Sequence, residues 1–204
     1  MARVLVNYAH PGQRHSRVNS TLARRAALLD GITFVDLYSR YPRFNIDIDL
    51  EQQRLLEHDI IVLQFPIYWY STPSLLKEWQ DLVLEYGFAY GPGGDKLAGK
   101  SLLLAVTAGG AKSAYCTDGS NRCELRDLLS PLEQTAGLCK MNFLPPYVLY
   151  NAHQARGASE GLSHAHAYEE LLSGLRDDRI NFDAINGQAD FGFAQLPALL
   201  EEYR

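Results

Sequence analysis

Three short segments of this sequence carry groups that chemistry can use. The first is His10-Pro11-Gly12-Gln13-Arg14-His15-Ser16-Arg17-Val18-Asn19, which runs from an apolar stretch into a helical pattern. At such a junction the backbone N–H groups of Ser16, Arg17, Val18 and Asn19, with the Ser16 and Asn19 side chains, suit a phosphate at a helix N-terminus. His10 and Arg17 would add charge-assisted bonds. An ordinary polar loop capped at Ser16 fits the same residues. The second segment is Pro66-Ile67-Tyr68-Trp69-Tyr70-Ser71-Thr72-Pro73. Three consecutive aromatics follow an apolar run, and exposing them is costly unless something flat covers them. An isoalloxazine or quinone ring would do so, and so would a core or a subunit interface. The third is Thr107-Ala108-Gly109-Gly110, where glycines let a backbone approach a ligand and free N–H groups face charge developing on a reduced ring. A tight turn is the plain alternative.

The elements that must position these segments read as alternating strands and helices. Apolar runs at 4–8, 32–37, 60–65, 102–106 and 147–150 have strand length. Helical patterns occupy 19–29, the stretch after Asp49, the stretch after Thr72-Pro73 and 158–175. Asp49 with Gln52, and Asn121 with Glu124, have capping-box spacing. Proline after Thr72 suits a first helical position. Leu75, Leu76, Trp79, Leu82 and Val83 form one apolar face. Such alternation means a doubly wound α/β fold, a five-stranded parallel sheet with helices on both faces. The expected order is 2-1-3-4-5, with ligands bound at the switch point between the first and third strands. All three chemical segments fall at that edge. Residues 1–178 would form the binding domain. Residues 179–204 would form an arm packing on the core or on a second subunit.

Two motifs carry less than their letters suggest. Gly94-Asp95-Lys96-Leu97-Ala98-Gly99-Lys100-Ser101 matches a P-loop but opens a strand instead of a helix. His164-Ala165-His166 puts its imidazoles on different helix faces, which fits a solvated surface and no metal site. No GxGxxG occurs.

With 204 residues, 47% apolar and 21% charged, the chain suits one globular domain. A net charge of -5 without a basic run argues against nucleic acid as a partner. No apolar stretch reaches the roughly 20 residues of a membrane helix. Cys116, Cys123 and Cys139 are odd in number and lack CxxC spacing, which fits a reducing cytoplasm.

Residues 4–11 followed by Ser16 and Asn19, then 66–73, then 107–110, resemble the flavodoxin-like NAD(P)H:quinone oxidoreductases. Tyr41-Pro42-Arg43-Phe44-Asn45-Ile46-Asp47-Ile48, Trp69-Tyr70-Ser71, Leu75-Leu76-Lys77-Glu78-Trp79, Ala89-Tyr90-Gly91-Pro92-Gly93-Gly94 and Leu144-Pro145-Pro146 are similar to one subgroup. That subgroup is the ancillary oxidoreductases of glutathione-gated potassium-efflux systems. The resemblance implies bound FMN, with FAD as the alternative. It also implies a homodimer with shared sites and ping-pong transfer of two electrons from NAD(P)H to a quinone-like acceptor. By position, His10 and Ser16, Arg17, Val18 and Asn19 would hold the phosphate. Pro66, Ile67, Tyr68, Trp69, Tyr70, Thr107, Ala108, Gly109 and Gly110 would hold the ring. Tyr115 would stand near the ring's electron-accepting edge. Asn121 occupies the position where the family places a histidine, and it can donate a hydrogen bond but not take up a proton. Alternatives on the same fold are a regulatory subunit of a potassium-efflux transporter at the inner face of the membrane, an azo- or nitro-compound reductase, and an electron carrier.

Overall fold

The computed structural model describes residues 1–12, 18–154, 158–185 and 188–200. Strand β1 (Val4–Tyr8) leads to helix α1 (Val18–Ala27), strand β2 (Ile32–Asp36) and the short helix α2 (Leu37–Arg40). Then come α3 (Ile48–Glu57), β3 (Ile60–Pro66), α4 (Ser74–Val83) and β4 (Ser101–Thr107). Helix α5 (Leu125–Leu138), β5 (Asn142–Phe143), β6 (Tyr147–Leu149), α6 (Ala158–Arg176) and α7 (Leu196–Leu199) complete the chain. The strands pair in parallel in the order β2-β1-β3-β4-β5, and β6 also pairs β4. The fold is the expected one.

The fifth strand is split in two. Ser101 pairs with Asn142, but Ala105 pairs with Tyr147, so the strand carries one extra residue opposite β4. Pro145 and Pro146, which have no N–H to give the ladder, lie in the break.

Alternating side chains send the strands' apolar residues to two cores. Leu5, Leu63, Phe65 and Leu104 pack with Leu55, Leu76, Trp79 and Leu129 of α3, α4 and α5. Val4, Val6, Val62 and Leu103 pack with Leu22 of α1 and with Tyr168, Leu171 and Leu172 of α6. Phe191, Leu196 and Leu199, beyond α6, complete this second core.

Local signals were displaced by a few residues. Asp47, not Asp49, caps α3, because its extended backbone lets the carboxylate accept from Leu50 N–H at 3.1 Å. Glu124 with Asp127 forms the box opening α5, so Asn121 lies outside the helix. Pro73 stands just before the first residue of α4. The P-loop-like run ends at Ser101, the first residue of β4. Its Lys100 Nζ donates to the carbonyls of Leu56 and His58 and so caps the C-terminal end of α3.

His164 is buried, against the expectation of a solvated surface, because α6 turns it into the second core. Its ring meets Phe193 at 4.4 Å and Tyr147 at 6.5 Å. Burial pushes its pKa down to about 4. The unfolded chain therefore binds this proton first as pH falls. The contribution of His164 is complete above the unfolded value near 6.5 and is lost on acidification toward 4, by about 2–3 kcal/mol. Urea unfolding at pH 7 and pH 4 should show a smaller loss of stability for His164→Gln than for the parent.

Candidate flavin site

The register of the sheet brings the three chemical segments side by side. Ala9 N–H donates to Gln64 O, Ile67 N–H to Thr107 O and Ala108 N–H to Leu149 O, each at 2.9 Å. The loops leaving β1, β3 and β4 therefore start level with one another and frame a cleft of about 520 Å³. That lies within the range of about 300–1,000 Å³ typical of small-ligand sites.

The segment after β1 contributes His10, Val18 and Asn19 to the cleft wall. Ser16 and Arg17 lie outside the described residues. Gly12 N–H donates to His10 Nδ1 at 3.1 Å, so that nitrogen carries no proton. The proton sits on Nε2, 3.3 Å from the Tyr68 hydroxyl. Burial lowers the His10 pKa, so the ring is neutral at pH 7. His10 thus supplies orientation rather than the positive charge expected for it. Asn19 is also committed: its amide donates to Thr107 Oγ1 at 2.5 Å. Gln64 supports this pair from below, donating to Asn19 O at 3.2 Å and accepting from the buried Tyr168 hydroxyl at 3.2 Å. The polar floor of the cleft is rigid because its buried members are paired.

The segment after β3 contributes Pro66, Ile67, Tyr68, Trp69 and Tyr70. Tyr68 and Ser71 exchange N–H to O bonds of 3.0 and 3.1 Å, which closes a tight turn on Trp69 and Tyr70. Both central residues have positive φ, 49° and 64°. That backbone ordinarily takes Asn-Gly, and large aromatics there are strained. Trp69 is 93% exposed and Tyr70 53%. An aromatic pair held out in a strained turn offers two faces on which a planar ligand could stack.

The segment after β4 faces it. Thr107, Gly109 and Gly110 line the cleft, while Ala108 is fully buried beneath them. Among the described residues neither glycine N–H finds a backbone acceptor. Asn151 N–H donates to Gly110 O at 2.9 Å and Ala152 N–H to Ala108 O at 3.0 Å, fixing the loop from behind. A methyl group on Gly109 would stand 2.7 Å from the His153 ring, so glycine is what lets that imidazole lie against the loop. Gly110 is similarly covered by Tyr115.

Tyr115 and Asn121 also line the cleft. Burial raises the Tyr115 pKa, which keeps the phenol protonated. The Tyr70 hydroxyl reaches Asn121 Oδ1 at a long 3.4 Å, bringing the segments after β3 and β4 together. Ala152 and His153 were not expected from the sequence. Their segment follows β6 without any motif, and only the backbone bonds to Ala108 and Gly110 bring it to the site. Among the described residues no cluster of three metal-ligating side chains occurs.

A second, more apolar groove of about 400 Å³ adjoins the cleft between α4 and α5. It shares Ile67 with the cleft and includes Leu84, Leu128, Leu132 and Leu138.

A family model described as flavodoxin-like fold matches residues 2–172. The chain belongs to this family. It is 48% identical over 172 residues to the glutathione-regulated potassium-efflux system ancillary protein KefG of Cronobacter sakazakii, covering 84% of this chain and 93% of that protein. Its structure is similar to general stress protein 14 of Treponema denticola, solved in complex with FMN, with a TM-score of 0.80 and 37% identity over 85% of this chain and 99% of that one. It is also similar to an NADPH-quinone reductase from P. pentosaceus, with a TM-score of 0.74 and 28% identity over 83% and 96% of the two chains.

Proposed function

We propose that this flavodoxin-like protein is an FMN-dependent NAD(P)H oxidoreductase that passes two electrons to a quinone-like acceptor. One observation carries the reading: a strained, exposed Trp69-Tyr70 turn faces the Gly109-Gly110 backbone across a cleft of ligand size. The arrangement fits a flat ring with one polar edge. The FMN-bound stress protein and the NADPH-quinone reductase support the choice of ring and reaction.

When bound, the flavin supplies the two-electron relay between a nicotinamide and a quinone. The residues of this chain bind and orient it. Ser16, Arg17, Val18 and Asn19, with neutral His10 beside them, hold the phosphate at the start of α1. Pro66, Ile67, Tyr68, Trp69 and Tyr70 cover the ring and exclude water. Gly109 directs its N–H at the ring's polar edge, where preorganised donors favour negative charge, and the Gly110 N–H holds the Tyr115 hydroxyl beside it. Thr107 and Ala108 set the height of that loop. Tyr115 and Asn121 close the acceptor side with a phenol and an amide, and neither delivers a proton readily at neutral pH. His153 places an imidazole at the glycine edge, whereas the family resemblance would place one at position 121.

The groove beside the cleft supports a homodimer in which the exposed Leu138 and the half-buried Leu128 are covered by a second copy. Among the described residues no helix is long and apolar enough to cross a membrane. The relation to a potassium-efflux ancillary protein supports a second role, in which the reductase docks from the cytoplasm on such a transporter. Co-purification with a potassium-efflux transporter tests that role, and a genomic location far from any transporter gene argues against it.

Titrating the purified, flavin-stripped chain with FMN and with FAD tests the cofactor directly. One equivalent of FMN should quench its own fluorescence on binding and be recovered by mass spectrometry after denaturation. No binding of either flavin would overturn the proposal.

A further inference from the structure

The arm after α6 reaches back to the candidate site. Its residues lie beyond position 172, where the family match ends. Phe191 N–H donates to Pro146 O at 3.0 Å, and Val148 N–H donates to Phe191 O at 2.7 Å, so the arm extends the sheet alongside β6. Phe191, Leu196 and Leu199 are buried in the second core. Apolar burial and backbone pairing therefore hold the arm in place.

One residue before Phe191 stands Asp190, largely buried. Its carboxylate accepts from Tyr150 Oη at 2.6 Å and from Lys112 Nζ at 2.7 Å. Neither partner lines the cleft, but each is close in sequence to residues that do: Lys112 stands between Gly110 and Tyr115, and Tyr150 two residues before Ala152. Lys112 opens a 3-10 turn (Lys112–Ala114) two residues after Gly110, and its ammonium also lies 5.7 Å from the Tyr150 ring centre. The Tyr150 ring packs on Tyr115 at 5.8 Å, and Tyr115 covers Gly110 and lines the cleft. Asp190 thus joins two separate segments, 110–115, which lines the cleft through Gly110 and Tyr115, and 149–151, which supports Tyr115 from behind through the Tyr150 ring.

The geometry points to Asp190 as a positioning residue: through Lys112 and Tyr150, the C-terminal arm fixes the Tyr115 wall against which a planar acceptor must seat. The arm does not need this ion pair to stay folded, since its apolar anchors are independent of it. The 110–115 segment does need it. That segment has little apolar burial of its own, Lys112 and Ser113 being exposed, with Gly109 and Gly110 before it. Charge-assisted bonds to a desolvated carboxylate are the strong kind, and here they carry orientation.

This inference rests on the oxidoreductase reading for its kinetic consequence, while its structural part does not. The test compares Asp190→Asn with the parent, both loaded with FMN. Hydrogen exchange read by mass spectrometry should accelerate about tenfold at residues 110–116 and stay unchanged at 189–199. The KM for a benzoquinone should rise about tenfold with kcat within about twofold, a ground-state positioning signature. Acceleration of loop and arm together, or of neither, would overturn the latch. A faster loop with an unmoved KM would overturn its role in seating the acceptor. Protein that takes up no flavin would defeat the oxidoreductase reading, and the exchange measurement would still decide the latch.

Discussion

Replacing Trp69-Tyr70 by Asn-Gly is expected to make the protein more stable and less able to hold a flavin. The turn from Tyr68 to Ser71 has positive φ at both central positions. A left-handed backbone costs a side-chain-bearing residue about 1–2 kcal/mol, a cost Gly lacks and Asn tolerates. The swap should therefore raise the unfolding free energy of the flavin-free protein by about 1–2 kcal/mol. Trp69 makes little compensating contact in the folded chain, being almost fully exposed, and Tyr70 gives up only its half-buried ring and the long bond to Asn121. Their use is to cover a ring, and losing two such surfaces should weaken FMN binding by about a hundredfold. Urea unfolding without flavin and fluorescence titration with FMN measure the two quantities separately. Trp69→Ala alone should lose affinity without the gain in stability, because its backbone remains strained. A swap that left FMN affinity intact would remove the turn from the site.

The largest expected effect on stability lies elsewhere, at Glu51. This carboxylate is completely buried at the start of α3. It accepts from Tyr41 Oη at 2.6 Å, from Trp79 Nε1 at 2.9 Å and from the Arg54 guanidinium. It thereby ties together α3, α4 and the loop after α2. Glu51→Leu would strand two buried neutral donors and leave a largely buried cation without its partner. The expected loss is about 3–5 kcal/mol, a large part of the roughly 5–15 kcal/mol that stabilises a typical domain. Adding Arg54→Met and Tyr41→Phe should recover part of it, because the unpaired groups then leave as well. Denaturant midpoints for the three proteins, or their soluble yields, check the ordering. The cluster was not legible in the sequence. A glutamate in the first turn of a helix reads as an exposed cap partner, and only packing brings Trp79 from α4 onto it.

What the sequence did carry was periodic. The run 102–106, apolar throughout, declares a strand covered on both faces, 60–65 is apolar but for Gln64, and with the helices between them such runs set strand order and the edge where ligands bind. The convergence of His10, Trp69 and Gly109 followed from that topology. Features that depend on a residue's exact backbone conformation were missed. Asp47 and Asp49 are chemically alike, and only the extended backbone of Asp47 made it the cap. The sequence offers His10 as a source of charge, but desolvation and the Gly12 N–H make it neutral, with Nδ1 accepting. His153 and Asp190 lie in segments without periodicity or motif. Backbone pairing with the loop after β4 brings His153 to the cleft, and pairing with β6 brings Asp190 to the segments beside it, which no local pattern encodes.

The most direct test of the central claim is an anaerobic two-step mixing experiment on the FMN-loaded protein. One equivalent of NADH or NADPH should bleach the flavin absorbance, and one equivalent of a benzoquinone should then restore it with formation of hydroquinone and no persistent radical. Flavin that binds but is not bleached by either nicotinamide, or that stops at a stable one-electron state, would contradict the account.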